Sequence, residues 1–353
     1  MKVLVTGSEG YIGVWLAPLL LQRGHEVVGL DRGFYRDGWL YDHGMEKFPP
    51  CVSKDIRQIT DDDVRGFDAV VHLAELSNDP LGQHNPRVTF AINHLGTIAL
   101  AEICRRVGVE RFVYTSSCSV YGAGSNDSLV EESATNPQTA YAQCKVLVER
   151  DLAKLADDDF SPTFLRNATA YGPSPRMRFD LVLNNLAALA WTTREIRMTS
   201  DGTPWRPLVH VLDICEAIAC CLEAPRDIVH NQIFNVGDNQ ENYQVREIAQ
   251  MVAEVFPDCA LTFGTNSGDN RSYRVSFDKI HNKLPGFHCS RNALLGATQL
   301  RDTFERIGMT RDIFEFRAFT RLNQLKYLID TRQIDDDFFW ARDHVGSERQ
   351  PGS

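Results

Sequence analysis

A tyrosine and a lysine four residues apart, Tyr141 and Lys145, form the pair in this chain best suited to moving a proton. At that spacing on a helix both side chains share one face. A free phenol ionises at about pH 10 and is a poor base at neutrality. An ammonium one turn away favours the phenolate and lowers that value. The spacing alone is common. It gains weight from the hydroxyl-rich run Thr115-Ser116-Ser117-Cys118-Ser119 upstream, and from a glycine loop near the start, Gly7-Ser8-Glu9-Gly10-Tyr11-Ile12-Gly13.

The loop has its own chemistry. One glycine permits the tight turn, one lets backbone N–H groups approach a diphosphate, and one lets helix and strand pack closely. It lies between an apolar strand, Lys2–Val5, and a helical pattern, Tyr11–Arg23. The next strand, Glu26–Leu30, is followed by Asp31, at the distance expected of a carboxylate that binds both adenosine ribose hydroxyls and repels a 2′-phosphate. That favours NAD over NADP. Arg32 pulls the other way, since a guanidinium there could accept the phosphate. With a dinucleotide in place, the tyrosine and lysine suggest hydride exchange with a nicotinamide, the phenol handling the proton.

Elements that position these residues follow a βαβ rhythm. Strands are expected at Ala69–Leu73, Arg111–Thr115 and Thr163–Leu165, and helices at Arg87–Val107 and Tyr141–Leu155. This predicts an α/β fold with a doubly wound parallel sheet, the Rossmann arrangement, over residues 1–175. After Gly172-Pro173-Ser174-Pro175 the rhythm breaks. A helix at Phe179–Thr192, a turn at Gly202-Thr203-Pro204 and a helix at Val245–Val255 suggest a smaller mixed α/β substrate lobe, 176–204 and 239–345. Residues 205–238, with strands Val209–Val211 and Ile233–Gly237 and a helix near Asp213–Leu222, are expected to return to the first domain. The polar tail 346–353 is expected to fray.

A net charge of -10 argues against a nucleic acid or an anionic membrane as partner. No apolar run is long enough to span a bilayer. The nine cysteines show no C-x-x-C pair, which fits reduced thiols in a cytoplasmic protein. No His, Cys, Asp or Glu grouping has metal-ligand spacing, so no metal is expected. His72 and His210 lie in apolar strand patterns and read as packed histidines.

From Met1 to about Phe277 the chain resembles the extended short-chain dehydrogenase/reductases, the superfamily of NAD-dependent nucleotide-sugar epimerases and dehydratases. The resemblance rests on ordered motifs: the Thr6–Gly13 loop, Asp31, Asp55-Ile56-Arg57, His72-Leu73-Ala74 and Asn93-x-x-Gly96-Thr97. It continues through Ser116-Ser117-x-x-Val120-Tyr121-Gly122, Tyr141-x-x-x-Lys145, Tyr171-Gly172-Pro173, Arg206-x-x-x-His210-Val211-x-Asp213 and Asn235-Val236-Gly237. It implies that Ser117 joins Tyr141 and Lys145 in catalysis, with Ser116 as its substitute. It also implies that Asp55 and Ile56 border the adenine, that Leu73 and Ala74 lie along the cofactor phosphates, and that Asn93 belongs to the cofactor site. Arg206 and Arg271 would bind the substrate diphosphate, Ser77 and Asn78 would approach the sugar, and Ser119, Thr169 and Cys118 would border it, Cys118 as a packed thiol. Asn184 is placed to contact a phosphate. Arg176 and Arg178 are candidates for the pocket mouth, Arg178 the weaker. A homodimer through the helices at 87–107 and 141–155 is implied by analogy alone.

The reaction class turns on the two positions after Ser117. Dehydratases of this superfamily carry an acid and a base there, but this chain has Cys118 and Ser119. Hydride and proton transfer alone suffice for 4-epimerisation through a transient 4-ketone, the reading this serine-only site favours. A nucleotide-sugar ketoreductase or dehydrogenase is the first alternative. Glu75 stands where the family has a small residue; it reads first as structural and second as an unusual base for dehydration. A non-catalytic dinucleotide sensor would have no need of the Ser117, Tyr141 and Lys145 set.

Overall fold

The computed structural model describes residues 1–42, 44, 47–77, 79–265 and 271–341, apart from the side chains of 124–127. Asn78 and the tail 346–353 lie outside the described residues. Seven strands form the main sheet: β1 (Lys2–Thr6), β2 (Glu26–Asp31), β3 (Cys51–Ser53), β4 (Ala69–His72), β5 (Arg111–Ser117), β6 (Ser161–Asn167) and β7 (Gln232–Val236). Their order is β3-β2-β1-β4-β5-β6-β7, and all neighbours are parallel. The order reverses between β1 and β4, which opens a crevice at the strands' carboxyl ends. Thr6 pairs with His72, His72 with Tyr114, and Ser117 with Asn167. The glycine loop, the Leu73–Glu75 turn and the serine run therefore leave the sheet at one edge.

Alternation along β1 sends Val3 and Val5 into one apolar core and Leu4 into the other, so helices must cover both faces. The helix Gly13–Gln22 packs against Val211–Glu223, and β7 adds to the sheet's edge, so the part of 205–238 from Val211 on packs with the main sheet, while Trp205–His210 does not join it. A second lobe carries a three-stranded sheet in which Trp205–His210 lies between Thr169–Tyr171 and Asn242–Gln244. Helices Val182–Thr193, Val245–Val255 and Ala293–Arg306 enclose its core around Phe179, Leu183, Ile248 and Phe304. No helix of the described residues is long and apolar enough to cross a membrane.

Three segments differ from expectation. The stretch read as one helix over 87–107 is a short helix, Pro86–Thr89, then a π-helical segment, Phe90–Gly96, and then the helix Thr97–Val107. The helix expected from Phe179 begins at Val182. The end of the expected substrate lobe packs elsewhere: Leu325, Leu328, Ile334 and Phe338 join the core of Leu4, Leu30 and Ile56 on the dinucleotide half.

Candidate functional site

A cavity of about 150 Å³ lies over the crevice and is lined by Gly7, Gly10, Tyr11, Ile12 and Gly13 on one side. A Cβ on Gly13 would stand 2.3 Å from the Gly7 carbonyl oxygen, and one on Gly7 would stand 2.8 Å from the Ala74 nitrogen. No side chain fits, and the loop is held against the Leu73–Ala74 turn, which also lines the cavity. Asp31 sits at the end of β2 with one oxygen accepting from the Glu9 N–H (3.0 Å) and the other from the Gly33 N–H (2.7 Å). Burial raises its pKa, and those two N–H groups oppose the rise. Arg32, Asp55 and Ile56 complete this end. The Asp55 carboxylate is held by the Arg57 guanidinium at 2.9 and 2.7 Å, so its main offering to a ligand is backbone and the adjoining Ile56 side chain.

A cavity of about 490 Å³ adjoins the first, and Ile12, Leu73, Glu75, Ser77, Ala170 and Arg178 line both. Here the structure brings Ser117, Tyr141 and Lys145 together. Thr139 caps the helix Ala140–Ala153 by accepting from the Ala142 N–H, which sets Tyr141 in its first turn and Lys145 one turn on. Ser117 ends β5, its hydroxyl oxygen accepting from the Ser119 N–H (3.1 Å). Lys145 donates to the Thr115 carbonyl (2.5 Å) and lies 5.4 Å from the Tyr141 ring centre.

The electrostatics differ from the simple proton relay. Lys145 forms an ion pair with Glu75, both side chains being almost fully buried, and the Tyr114 hydroxyl donates to the same carboxylate at 2.8 Å. Burial raises the Glu75 pKa, while Lys145 and Tyr114 pull it back. Tyr141 is pushed up by burial first, then by the carboxylates of Glu75 and Asp79; Arg178 and a hydrogen bond with Ser117 act against this. Burial and these carboxylates outweigh the lowering expected from Lys145, whose ammonium is paired with Glu75.

Ser77, Ser119 and Thr169 also line the larger cavity, with Arg206 and Arg271. Arg206 donates to the carbonyls of Trp205 (2.8 Å) and Arg271 (2.5 Å), while Arg271 pairs with Asp79. Ser116 reaches the cavity, but its hydroxyl donates to Glu149 (2.5 Å) within a buried network completed by Arg166 and Tyr121.

Four expected contacts are corrected. Cys118 turns into the core and donates to the Arg166 carbonyl (3.1 Å), with burial pushing its thiol pKa up. The Asn93 amide is used by the Leu76 N–H and carbonyl, at 2.9 and 3.0 Å, so it braces the turn beside the cofactor cavity. Asn184 is buried, accepting from the Gly172 N–H (2.9 Å) and donating to the Arg178 carbonyl (3.1 Å). Arg176 donates to the carbonyls of Tyr35, Arg36 and Gly38, away from both cavities. Arg178, the weaker candidate, is the one that lines both, paired with Asp180 at 2.9 Å. No periodicity in the irregular stretch before Val182 distinguishes these two arginines. Asp79, Asn167 and Arg321 were not expected, and each lines a cavity.

Fold and site together define a Rossmann-type dinucleotide enzyme of the tyrosine/lysine kind. Residues 3–237 match the NAD dependent epimerase/dehydratase family, and the chain belongs to it. The UDP-glucose 4-epimerase of Yersinia pestis is 30% identical over 318 residues, covering 83% of this chain and 94% of that protein. The structure of MoeE5 in complex with UDP-glucuronic acid and NAD is 28% identical with a TM-score of 0.74, covering 87% of this chain and 99% of that one. The NAD-dependent NDP-hexosamine 5,6-dehydratase TunA shares the fold at 22% identity and a TM-score of 0.76, over 86% of this chain and 98% of that one. NAD is the cofactor, and the glycine cradle and the N–H-braced Asp31 fit it.

Proposed function

We propose that this enzyme is a nucleotide-sugar 4-epimerase. The observation that carries the reading is the meeting of Ser117, Tyr141 and Lys145 in one cavity where it adjoins the dinucleotide cavity, with no carboxylate at positions 118 and 119. Tyr141 takes the proton of the sugar 4-hydroxyl, and Ser117 shares a hydrogen bond with the developing alkoxide. NAD, when bound, accepts a hydride from the substrate and returns it. The larger cavity would let the 4-ketone turn so that the hydride could return to its other face, and Tyr141 would give the proton back. Arg206 and Arg271 supply guanidinium forks for the nucleotide diphosphate, and Asp79 must share Arg271 when it does so. Ser77, Ser119 and Thr169 border the sugar.

One observation favours a second reading. Glu75 lines both cavities, so a carboxylate does face the substrate, from a position other than that of the known dehydratases. Incubation with UDP-glucose and UDP-galactose in deuterated water, followed by proton NMR, separates the two. Epimerisation inverts C4 with no solvent deuterium on carbon. Deuterium at C3 or C5, or stoichiometric consumption of added NADH, would overturn it. The same reading includes a cytoplasmic homodimer built through the helical stretches 87–107 and 141–155; light scattering tests whether the protein is a dimer.

A further inference from the structure

Three buried arginines, Arg176, Arg178 and Arg321, cluster beside the Asp180 carboxylate, and two of them, Arg178 and Arg321, line the cofactor cavity. Arg176 is used by backbone carbonyls, and Arg178 forms a two-pronged pair with Asp180 at 2.9 and 3.1 Å. Arg321 has neither. It is 2% exposed, stands at the start of the helix Arg321–Asp330, and lines the dinucleotide cavity. Among the described residues its guanidinium has one hydrogen bond, to the Arg176 carbonyl at a long 3.5 Å, and rests 4.0 Å from the centre of the Tyr35 ring. Five donors with so little to donate to make a costly buried cation. Its pKa is lowered to about 10, by burial and then by Arg178. Such a group fits its site when an anion shares the cavity.

We propose that Arg321, with Arg178, forms a diphosphate-binding wall of the dinucleotide cavity facing the glycine loop, so that the C-terminal segment grips the cofactor. The glycine loop and this pair line the same cavity. The segment is fixed for the task. Gln324 donates to the Phe34 carbonyl (3.0 Å), Trp340 to the Arg32 carbonyl (2.9 Å), and Arg57 to the Asp337 carbonyl (2.8 Å). The first two contacts bind the segment to the loop that follows Asp31, and the third binds it to the turn Ile56–Gln58. A nucleotide sugar also carries a diphosphate, but Arg321 lines only the dinucleotide cavity, whereas Arg178 lines both. The assignment rests on reading the smaller cavity as the NAD site and is independent of which sugar is turned over.

The test is calorimetric titration of cofactor-stripped protein with NAD, ADP-ribose, adenosine and UDP, for the parent, Arg321→Gln and Arg321→Lys. Arg321→Gln is expected to weaken NAD and ADP-ribose roughly tenfold or more, Arg321→Lys by less, and adenosine and UDP by under about twofold. The melting temperature of stripped Arg321→Gln should not fall below the parent's, because an unpaired buried charge has been removed. The proposal is overturned if NAD and ADP-ribose bind both variants as they bind the parent. It is equally overturned if adenosine weakens as much as ADP-ribose, or if UDP alone weakens. Should the glutamine variant not fold, the lysine variant is read by the same criteria.

Discussion

At the scale of single residues the unusual feature is the carboxylate beside the catalytic lysine. Tyr141→Phe removes the proton carrier, and turnover should fall by about 10²- to 10⁴-fold while the purified protein keeps its NAD. Activity within a few-fold of the parent would remove Tyr141 from the mechanism. Glu75 raises the pKa of Tyr141 by its charge and also pairs with Lys145. In Glu75→Gln that carboxylate is gone and the ammonium acts on the phenol directly, so the phenolate forms at lower pH. The limb of the pH–rate profile that reports the base should move toward acid, measured as kcat/KM against pH. An unmoved limb would mean that Glu75 does not act on the tyrosine. Lys145 and Tyr141 were legible from their spacing taken together with the serine run at 115–119 and the glycine loop at 7–13. The partner that sets their charge was not, because Glu75 lies on another loop and only the parallel register of β4 and β5 brings it across.

At the scale of elements, the site depends on how strands end and helices begin. Thr139 accepts from the Ala142 N–H (3.2 Å) and donates to Asp79 (2.5 Å), which fixes the turn that carries Tyr141. Thr139→Ala should lower stability by about 1 kcal/mol and depress kcat more than it changes NAD content. A urea unfolding midpoint beside steady-state kinetics checks both; a normal kcat would show that the cap does not position the phenol. Gly13→Ala forces a Cβ to within 2.3 Å of the Gly7 carbonyl oxygen, so the loop must open. The expected result is protein purified without NAD, read from the nucleotide released on denaturation. Strands β1, β4 and β5 were legible because burial on both faces leaves them apolar runs. β3 was not: its three residues are all exposed and carry no such pattern. The π-helical segment was hidden for a different reason. Widening the turn leaves the apolar spacing near that of an α-helix, and only the grip of Asn93 on Leu76 reveals its use.

At the scale of the whole molecule, each lobe contains a buried neutral histidine, and the two together set its response to acid. His72 lies between β1 and the helix Thr97–Val107, hydrogen-bonded to the hydroxyls of Thr6 (2.7 Å) and Thr97 (2.8 Å). Thr97 donates its own proton to the Asn93 carbonyl (2.8 Å), so Nε2 of His72 carries hydrogen and Nδ1 accepts. His210 accepts from the Leu212 N–H (3.1 Å) at Nδ1 and faces Gln299 at 2.8 Å, the same neutral form. Burial lowers both to about 3, helped by Lys145 at His72 and by Arg291 at His210. The unfolded chain therefore binds these two protons first as the pH falls through the usual histidine range. Their stabilising effect is complete above that range and is lost progressively from about pH 6.5 down to about 3. Two such groups cost about 2 kcal/mol between pH 6.5 and 5.5. Asp31, Glu75 and Asp213 have raised values and oppose this, because the folded state binds their protons first as the pH falls. Single-histidine variants separate the terms. His72→Gln is expected to be less stable than the parent at pH 7.5, yet to lose only about half as much between pH 6.5 and 5.5 in urea unfolding with saturating NAD. An equal loss in parent and variant would show that His72 is not the group that acid titrates.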